Sequence, residues 1–140
     1  MTPTQEKANR LIQHFAERIN NYFTLDNGVC ALYDTDGQEA VIIEAPQHSD
    51  NVLLYCTLQS MPLEITRESL SKLLMLNFEV SAMQGCWVAM DEDYRLRLCY
   101  LYSMVHIDEN HFSDTLTGFI EQVKDVRALI PEFIEQAAVS

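Results

Sequence analysis

The fold is decided by residues 67–105, which read RESLSKLLMLNFEVSAMQGCWVAMDEDYRLRLCYLYSMV. The first part predicts a helix that follows Thr66 as its N-cap and runs to about Asn77. Gly85 then opens a strand over residues 86–90, and an acidic turn over residues 91–93 leads back into a long strand over residues 94–105. Two strands joined by so short a turn are typical of an antiparallel sheet.

The predicted helix at residues 67–77 is apolar on more than one side. Leu70, Leu73 and Leu74 form one stripe, whereas Met75 and Leu76 fall outside it. A helix of about three turns in a small domain normally keeps one side in water. We therefore expect something to cover the second side of this helix, and a second copy of the chain is the simplest cover.

The long strand at residues 94–105 alternates between two kinds of surface. One face carries Leu96, Leu98, Tyr100, Tyr102 and Met104, and the other carries Arg95, Arg97, Cys99, Leu101 and Ser103. With this strand and Trp87, the chain has more apolar faces than one small core can bury. The surplus predicts protein partners.

Outward from this stretch, the chain continues the pattern of helices and antiparallel strands. Apolar residues at helical spacing predict a first helix over residues 5–23, and Asp36-Gly37 predicts a hairpin between strands at residues 29–33 and 39–43. Residues 52–58 form a third predicted strand. Asp108 caps a last helix, which Pro131 ends or bends. The order α-β-β-β-α-β-β-α indicates an α+β domain.

Composition and charge predict one acidic globular domain over residues 1–140. The chain is 48% hydrophobic and 21% charged, and its 21 acidic and 9 basic residues give a net charge of -12. Phosphate backbones and anionic membranes would repel such a protein, so nucleic-acid binding is not expected. No Lys or Arg lies between Arg18 and Arg67, which favours a basic or amphipathic protein segment as partner.

The sequence also predicts where the protein resides and the state of its thiols. The first residues lack the plan of a secretory signal, and no apolar run approaches the roughly 18 residues of a membrane span. We expect a protein that stays where it is made. The four cysteines, Cys30, Cys56, Cys86 and Cys99, are widely spaced within apolar segments and are predicted to be reduced core residues.

Residues that could carry chemistry are few. His106 and His111, with Cys99 upstream, come nearest to a metal cluster, but their spacing does not place two ligands on one helical face. No serine lies in a nucleophile elbow, and the isolated glycines form no phosphate loop. The sequence therefore predicts no enzyme, no metal site and no cofactor. A small metal-dependent hydrolase built on these three residues is the enzyme alternative.

The chain resembles the class I type III secretion chaperones, also called the Tir-chaperone family, over residues 7–127. The most specific part is Leu73-Leu74-Met75-Leu76-Asn77-Phe78, followed by Gly85, the acidic turn, and Leu96, Leu98 and Tyr100. Ile107-Asp108, followed by Phe112, Leu116, Phe119 and Val123, resembles the closing helix of the family. These are packing patterns, which carry weight as a set.

The resemblance implies a fold and a function. The fold is a five-stranded twisted antiparallel sheet with three helices, and the working unit is a homodimer. Family members bind, in the cytoplasm of Gram-negative bacteria, the N-terminal chaperone-binding segment of type III secretion effectors in extended form. They keep the effector soluble and competent for delivery to the secretion ATPase. An adaptor or regulator on the same fold, which binds the ATPase or a regulatory protein, is the alternative function.

The resemblance also implies two sets of site residues. The dimer contact falls on Leu70, Leu73, Leu74 and Trp87. The effector groove falls on Leu11, Phe15, Ile19, Tyr22, Val41 and Ile43.

Overall fold

The computed structural model describes residues 1–134, so residues 135–140 of the predicted domain lie outside the described residues. The elements are α1 (Pro3–Arg18), β1 (Val29–Tyr33), β2 (Glu39–Glu44), β3 (Asn51–Ser60), α2 (Arg67–Leu76), α3 (Val80–Met83), β4 (Trp87–Met90), β5 (Arg95–Ser103) and α4 (Glu109–Leu129). A 3₁₀ turn at Ile130–Phe133 follows α4 and contains Pro131, the predicted stop. The predicted α+β order is confirmed, with the four-residue α3 as an unpredicted addition.

The strands form one antiparallel five-stranded sheet, as expected, and their order in the sheet is β1-β2-β3-β5-β4. The predicted hairpin is β1-β2, and its turn is held by Asp34, whose carboxylate accepts the N–H groups of Asp36 and Gln38 at 2.9 Å. Gly37 has φ 78° there, a conformation that glycine adopts without steric cost. β3 and β5 pair along almost their whole length and form the centre of the sheet.

One face of the sheet and the helices that cover it make the core. Alternate strand residues point to this inner face, which carries Cys30, Leu32, Val41, Ile43, Val52, Leu54, Cys56, Leu58, Val88, Leu96, Leu98 and Tyr102. The buried stripes of α1 and α4 belong to the same cluster, with Phe112, Leu116 and Ile12 among its most buried side chains. Because the helices cover this face, the other face of the sheet remains available to a partner.

Helix α1 ends five residues before the predicted boundary at residue 23. Its start is a capping box in which Thr2 and Gln5 bond each other reciprocally. Its end is a Schellman motif: Asn20 has φ 55°, and the N–H of Asn21 donates to the carbonyl of Ala16 at 2.8 Å. Asparagine tolerates this left-handed conformation, so the helix ends here although apolar residues continue to Phe23.

The starts of the other long helices are as predicted. The Thr66 side chain accepts the N–H of Ser69 at 3.0 Å, and the Asp108 carboxylate accepts that of His111 at 2.7 Å. Beyond α3, Gly85 has φ 87°, and a Cβ there would lie 3.1 Å from Cε1 of Tyr100. The chain therefore needs glycine where it turns into β4.

Candidate protein-binding surfaces

Helix α2 divides its leucines between the core and the surface. Leu73 is 4% exposed and, with Leu76, packs into the core, whereas Leu74 is 71% exposed. Successive residues on a helix are about 100° apart, so Leu73 and Leu74 cannot both face the core. Leu70 and Trp87, at 38% and 37%, also keep part of their surface in water. Of the four predicted dimer residues, Leu73 is thus a core residue, and the other three are accessible.

Further exposed apolar residues adjoin these three in sequence. We call the set of Leu70, Leu74, Phe78 and Trp87 the α2–β4 surface. Met75 is exposed on another flank of α2, where a groove of about 360 Å³ is lined by Lys72, Met75, Leu76, Glu79, Ala82, Leu129 and Phe133. The prediction that α2 is apolar on more than one side is therefore confirmed by the structure.

A side chain makes hydrogen bonds to the backbone at the outer edge of β4. Asn77, the C-cap of α2, accepts the N–H of Val88 at 2.7 Å and donates to the carbonyl of the same residue at 3.2 Å. The carboxamide thus makes the two bonds that a neighbouring strand would make. The edge is closed to strand addition at its centre. This contact joins distant parts of the chain, and nothing in local sequence patterning signals it.

The outer face of the sheet carries a row of mostly apolar residues across all five strands. Cross-strand partners in this row are Ala31, Ile42, Tyr55, Cys99 and Trp87. Cys99 is buried, Ile42 and Tyr55 are half-buried, and Ala31 and Trp87 are exposed. A sheet face of this kind, beside the α2–β4 surface, suits burial against another protein.

One arginine lies beside this row and is fixed by the acidic turn. Arg97 donates from Nε to the Asp91 carboxylate at 2.8 Å, and its guanidinium lies 5.2 Å from the ring centre of Tyr55. The Asp91 carboxylate also accepts the backbone N–H of Arg95 at 3.0 Å. That bond, with those from Arg97 and the backbone of Asp93, lowers the pKa of Asp91 to about 2. The turn predicted as a simple connection therefore organises the outer face.

The predicted effector groove does not form as one exposed surface. Leu11, Phe15, Val41 and Ile43 are buried in the core, because the apolar stripe of α1 packs on the sheet face to which β2 directs Val41 and Ile43. These four side chains therefore belong to the core rather than to an exposed client-binding surface.

The other two predicted groove residues lie beyond the end of α1. Ile19 is the C-cap, and Tyr22 follows the left-handed Asn20. Their exposed fractions are 51% and 73%, so both side chains are accessible to a client.

β1 is the other edge strand of the sheet. At its start, Asp26 and Val29 exchange backbone hydrogen bonds of 2.8 and 3.0 Å, which close that part of the edge. The remainder, Ala31 to Tyr33, has exposed Ala31 and Tyr33 and is followed by Asp34 and Asp36. We call this segment the β1 edge. The sequence pattern placed a strand here but gave no sign that it would be an edge.

The residues considered for chemistry are not assembled into a centre. Within residues 1–134, no three His, Cys, Asp or Glu side chains are grouped as metal ligands. The Tyr102 hydroxyl and His111 Nδ1 are 2.5 Å apart, which ties His111 to the core tyrosine. No helix among the described residues is long and apolar enough to cross a membrane.

The four cysteines are free and buried, as predicted, but only Cys30, Cys56 and Cys86 belong to the core, because Cys99 lies on the outer face of the sheet. Burial raises the pKa of Cys56 and of Cys86 to about 11, so both thiols stay protonated and unreactive at neutral pH.

The fold is similar to solved structures of protein complexes. A chain in the ExsC-ExsE complex shares 19% identity and a TM-score of 0.74, covering 90% of this chain and 95% of its own. A chain in the HopA1-SchA chaperone-effector complex shares 12% identity and a TM-score of 0.71, with coverage of 91% and 98%.

A third similar chain comes from the heterodimeric ExoU-SpcU complex of the type III secretion system of Pseudomonas aeruginosa. It has 17% identity and a TM-score of 0.67, and covers 89% of this chain and 98% of its own. No curated protein sequence matches the chain.

The family model for the Tir chaperone protein (CesT) family matches residues 10–127, which include every strand and most of α1 and α4. The matched region agrees with the resemblance read from the sequence at residues 7–127. This chain belongs to the Tir chaperone protein (CesT) family.

Proposed function

We propose that this protein is a homodimeric chaperone of the bacterial cytoplasm that binds a type III secretion effector in extended form and keeps it competent for export. The observation that carries the proposal is the family match over residues 10–127. The fold is similar to that of a chain in the HopA1-SchA chaperone-effector complex and of a chain in the ExoU-SpcU complex of a type III secretion system. These similarities support the proposal.

The α2–β4 surface is the proposed dimer contact. Its side chains Leu70, Leu74 and Trp87 are accessible and apolar, and Phe78 is 86% exposed. Burying such side chains contributes about 1.5–3 kcal/mol each, which suits a stable interface. The outer face of the sheet begins at Trp87 and extends this contact.

The opposite end of the sheet is the proposed start of the client site. An extended client pairs with the β1 edge, since Asn77 occupies the centre of the β4 edge. Ile19 and Tyr22, both exposed, supply apolar contacts on the α1 side.

Charge favours the same location for the client. Strands β1, β2 and β3 lie wholly within residues 19–66, which contain no Lys or Arg. These strands and their connections carry the acidic residues Asp34, Asp36, Glu39, Glu44 and Asp50, and their charge attracts basic segments and speeds their association. The same charge keeps the empty protein soluble despite its exposed apolar residues.

The test is co-expression of this protein with each secretion effector encoded in the same bacterium, followed by co-purification. One effector should be retained through its N-terminal segment, in a complex that contains two copies of this chain. Tyr22→Asp should reduce retention without loss of fold, with Tyr94→Asp, an exposed tyrosine at the other end of the sheet, as the matched control.

Failure to retain any effector would contradict the proposal. Retention of the secretion ATPase or of a regulatory protein instead would favour the adaptor function. If an effector is retained, release of it by the purified ATPase tests the predicted delivery step.

A further inference from the structure

A cleft lies on the inner side of the sheet, between α4 and the part of the chain that leads into β4. Its volume is about 160 Å³, and its lining residues include Cys86, Tyr100, Gly118, Phe119 and Gln122. We call it the Gly118 cleft. A cavity of about 150 Å³ holds a benzene molecule, so this cleft has room for one side chain of a partner.

Gly118 keeps the cleft open, and folding alone does not account for this glycine. It lies in the middle of α4, where glycine is among the least favourable residues. A Cβ at Gly118 would meet no atom within 4 Å, and its φ is not positive. Neither crowding nor backbone strain within residues 1–134 therefore requires glycine here. A missing side chain does suit the close approach of a ligand to the helix.

Gln122 presents an unused hydrogen-bond acceptor one turn after Gly118. This side chain is 7% exposed, and its Nε2 donates to the carbonyl of Ala82 at 2.8 Å, which fixes the orientation of the carboxamide. Its Oε1 has no hydrogen-bond partner within residues 1–134, yet this oxygen is not among the unpaired atoms sealed from solvent. A ligand that donates a hydrogen bond would satisfy Oε1, whereas an apolar one would leave it unpaired.

The exposed side of α4 beside the cleft is acidic. It carries four exposed carboxylates and one exposed lysine, which are Glu109, Asp114, Glu121, Asp125 and Lys124. Asp114 and Glu121 lie one turn to either side of Gly118 on the same side of the helix. Lys124 contacts Glu121 at 3.4 Å, but both side chains are exposed and such a pair is weak. An anionic ligand is therefore repelled, and a cationic one is attracted.

The walls of the cleft favour arginine over lysine. The Tyr100 ring is half-buried and lies against the turn at Gly85, and Phe119 and Cys86 are buried apolar neighbours. A guanidinium is planar, stacks on aromatic rings and is weakly hydrated, and its apolar stem packs on side chains such as Phe119. The ammonium group of lysine is compact and strongly hydrated, so it gains less from such a site.

We propose that the Gly118 cleft binds one arginine side chain of the extended client. The guanidinium donates to Gln122 Oε1 and stacks on Tyr100, and its stem passes over Gly118 and lies against Phe119. Asp114, one turn away, attracts its charge. The inference rests on the proposed function, because it names a side chain of the same client.

The position of the cleft sets a minimum spacing along the client. The cleft lies at the β4 side of the sheet, and the β1 edge is four strand intervals away. At about 4.8 Å per interval, the two contacts are about 19 Å apart, a distance that roughly six extended residues span. The arginine should therefore lie at least about six residues from the client segment that pairs with β1.

A small probe tests the cleft without any effector. At millimolar concentrations, N-acetyl-arginine-N-methylamide should shift the NMR signals of the Cys86 backbone amide and the Gln122 side-chain amide in the full-length protein. The citrulline analogue has the same shape without the charge and should shift them less. Absence of these shifts, shifts confined to other surfaces, or an equal response to citrulline would overturn the inference while leaving the proposed function intact.

Filling the cleft provides the second test. Gly118→Leu should abolish the probe shifts and weaken binding of the retained effector about tenfold, the effect of losing one anchor side chain. Thr117→Leu adds a larger side chain at the next residue, which is exposed and outside the cleft lining, and should bind as wild type does. Equal effector affinity for Gly118→Leu and wild type would contradict the proposal.

A third variant tests whether the glycine serves folding. Gly118→Ala adds only a Cβ, where no atom lies within 4 Å, so the melting temperature should rise. A lower melting temperature would show that the fold itself needs this glycine, and would overturn the inference.

The retained effector then identifies the arginine. Among Arg→Gln changes in its bound segment, one should weaken binding to wild type and have no further effect on binding to Gly118→Leu. Additive effects for every arginine would contradict the contact. Failure to retain any effector would instead contradict the proposed function, and the probe result still decides the cleft.

Discussion

Helices α1 and α2 are both amphipathic, but they differ in what they expose. The apolar side chains of α1 are buried, whereas α2 also carries apolar side chains on its exposed side. The apolar stripe of α1, with Leu11 and Phe15, is consumed by the core. Helix α2 places Leu73 and Leu76 in the core and still exposes Leu74. The difference teaches that an apolar stripe alone marks packing, and that apolar residues beyond the stripe stay exposed and accessible to a partner.

The largest test of this comparison is a charge on the buried stripe of α1. Phe15→Asp places a carboxylate in the core and removes a large apolar side chain, so it should cost more than about 4 kcal/mol of unfolding free energy. Chemical denaturation measured by circular dichroism checks this. Glu17→Gln, exposed on the same helix, is the control. A folded Phe15→Asp variant that loses only effector binding would show that Phe15 faces a groove after all.

A charge on the exposed side of α2 should act on association instead of folding. Leu74→Asp should weaken the proposed dimer by about 2–4 kcal/mol, the effect of a central interface residue, while the monomer keeps its secondary structure. Analytical ultracentrifugation over a range of concentrations measures the dissociation constant. The matched control is Leu63→Asp, another exposed leucine outside the α2–β4 surface.

An unchanged dimer constant in Leu74→Asp would remove α2 from the interface. A wild-type protein that is monomeric at all concentrations would remove the dimer itself.

The edge of β4 gives a smaller effect that sharpens the same distinction. Asn77→Ala removes both hydrogen bonds to Val88 and should cost about 1–3 kcal/mol, because the buried backbone groups lose their partner. Asn77→Asp separates the two bonds, since a carboxylate still accepts from the N–H but cannot donate to the carbonyl. It should fall between wild type and Asn77→Ala in urea denaturation. Equal stability of all three proteins would show that the two hydrogen bonds between Asn77 and Val88 contribute nothing to folding.

Much of the fold was predictable because its signals are local. The Asp36-Gly37 turn, the alternation in β5, and the caps Thr66 and Asp108 each depend on a few neighbouring residues, and all appear in the structure. The end of α1 was missed although Asn20 was a local signal, because the apolar residues up to Phe23 continued the helical spacing. The left-handed Asn20 outweighed that spacing.

The candidate site was less predictable because exposure is a long-range property. Leu73 and Leu74 are neighbours with the same side chain, and only the placement of α2 against the sheet decides which one enters the core. Val41 and Ile43 have the alternation of a half-exposed strand, but nothing local states which face the helices will cover. The contact between Asn77 and Val88 depends on packing between distant elements, so it could not be read from the sequence.

The smallest predicted effect lies at the acidic turn that supports the outer face. Asp91 has a folded-state pKa of about 2, below its ordinary value of 3.8, so its ionised form stabilises the folded protein. That stabilisation is complete above about pH 4 and is lost as the pH falls through 2. Asp91→Asn should therefore lower the melting temperature slightly at pH 7, and the difference from wild type should shrink between pH 4 and pH 2. Glu92→Gln, an exposed neighbour in the same turn, should give no such pH-dependent difference. A gap between wild type and Asp91→Asn that persists at pH 2 would mean that turn geometry, rather than the charge beside Arg97, stabilises the outer face.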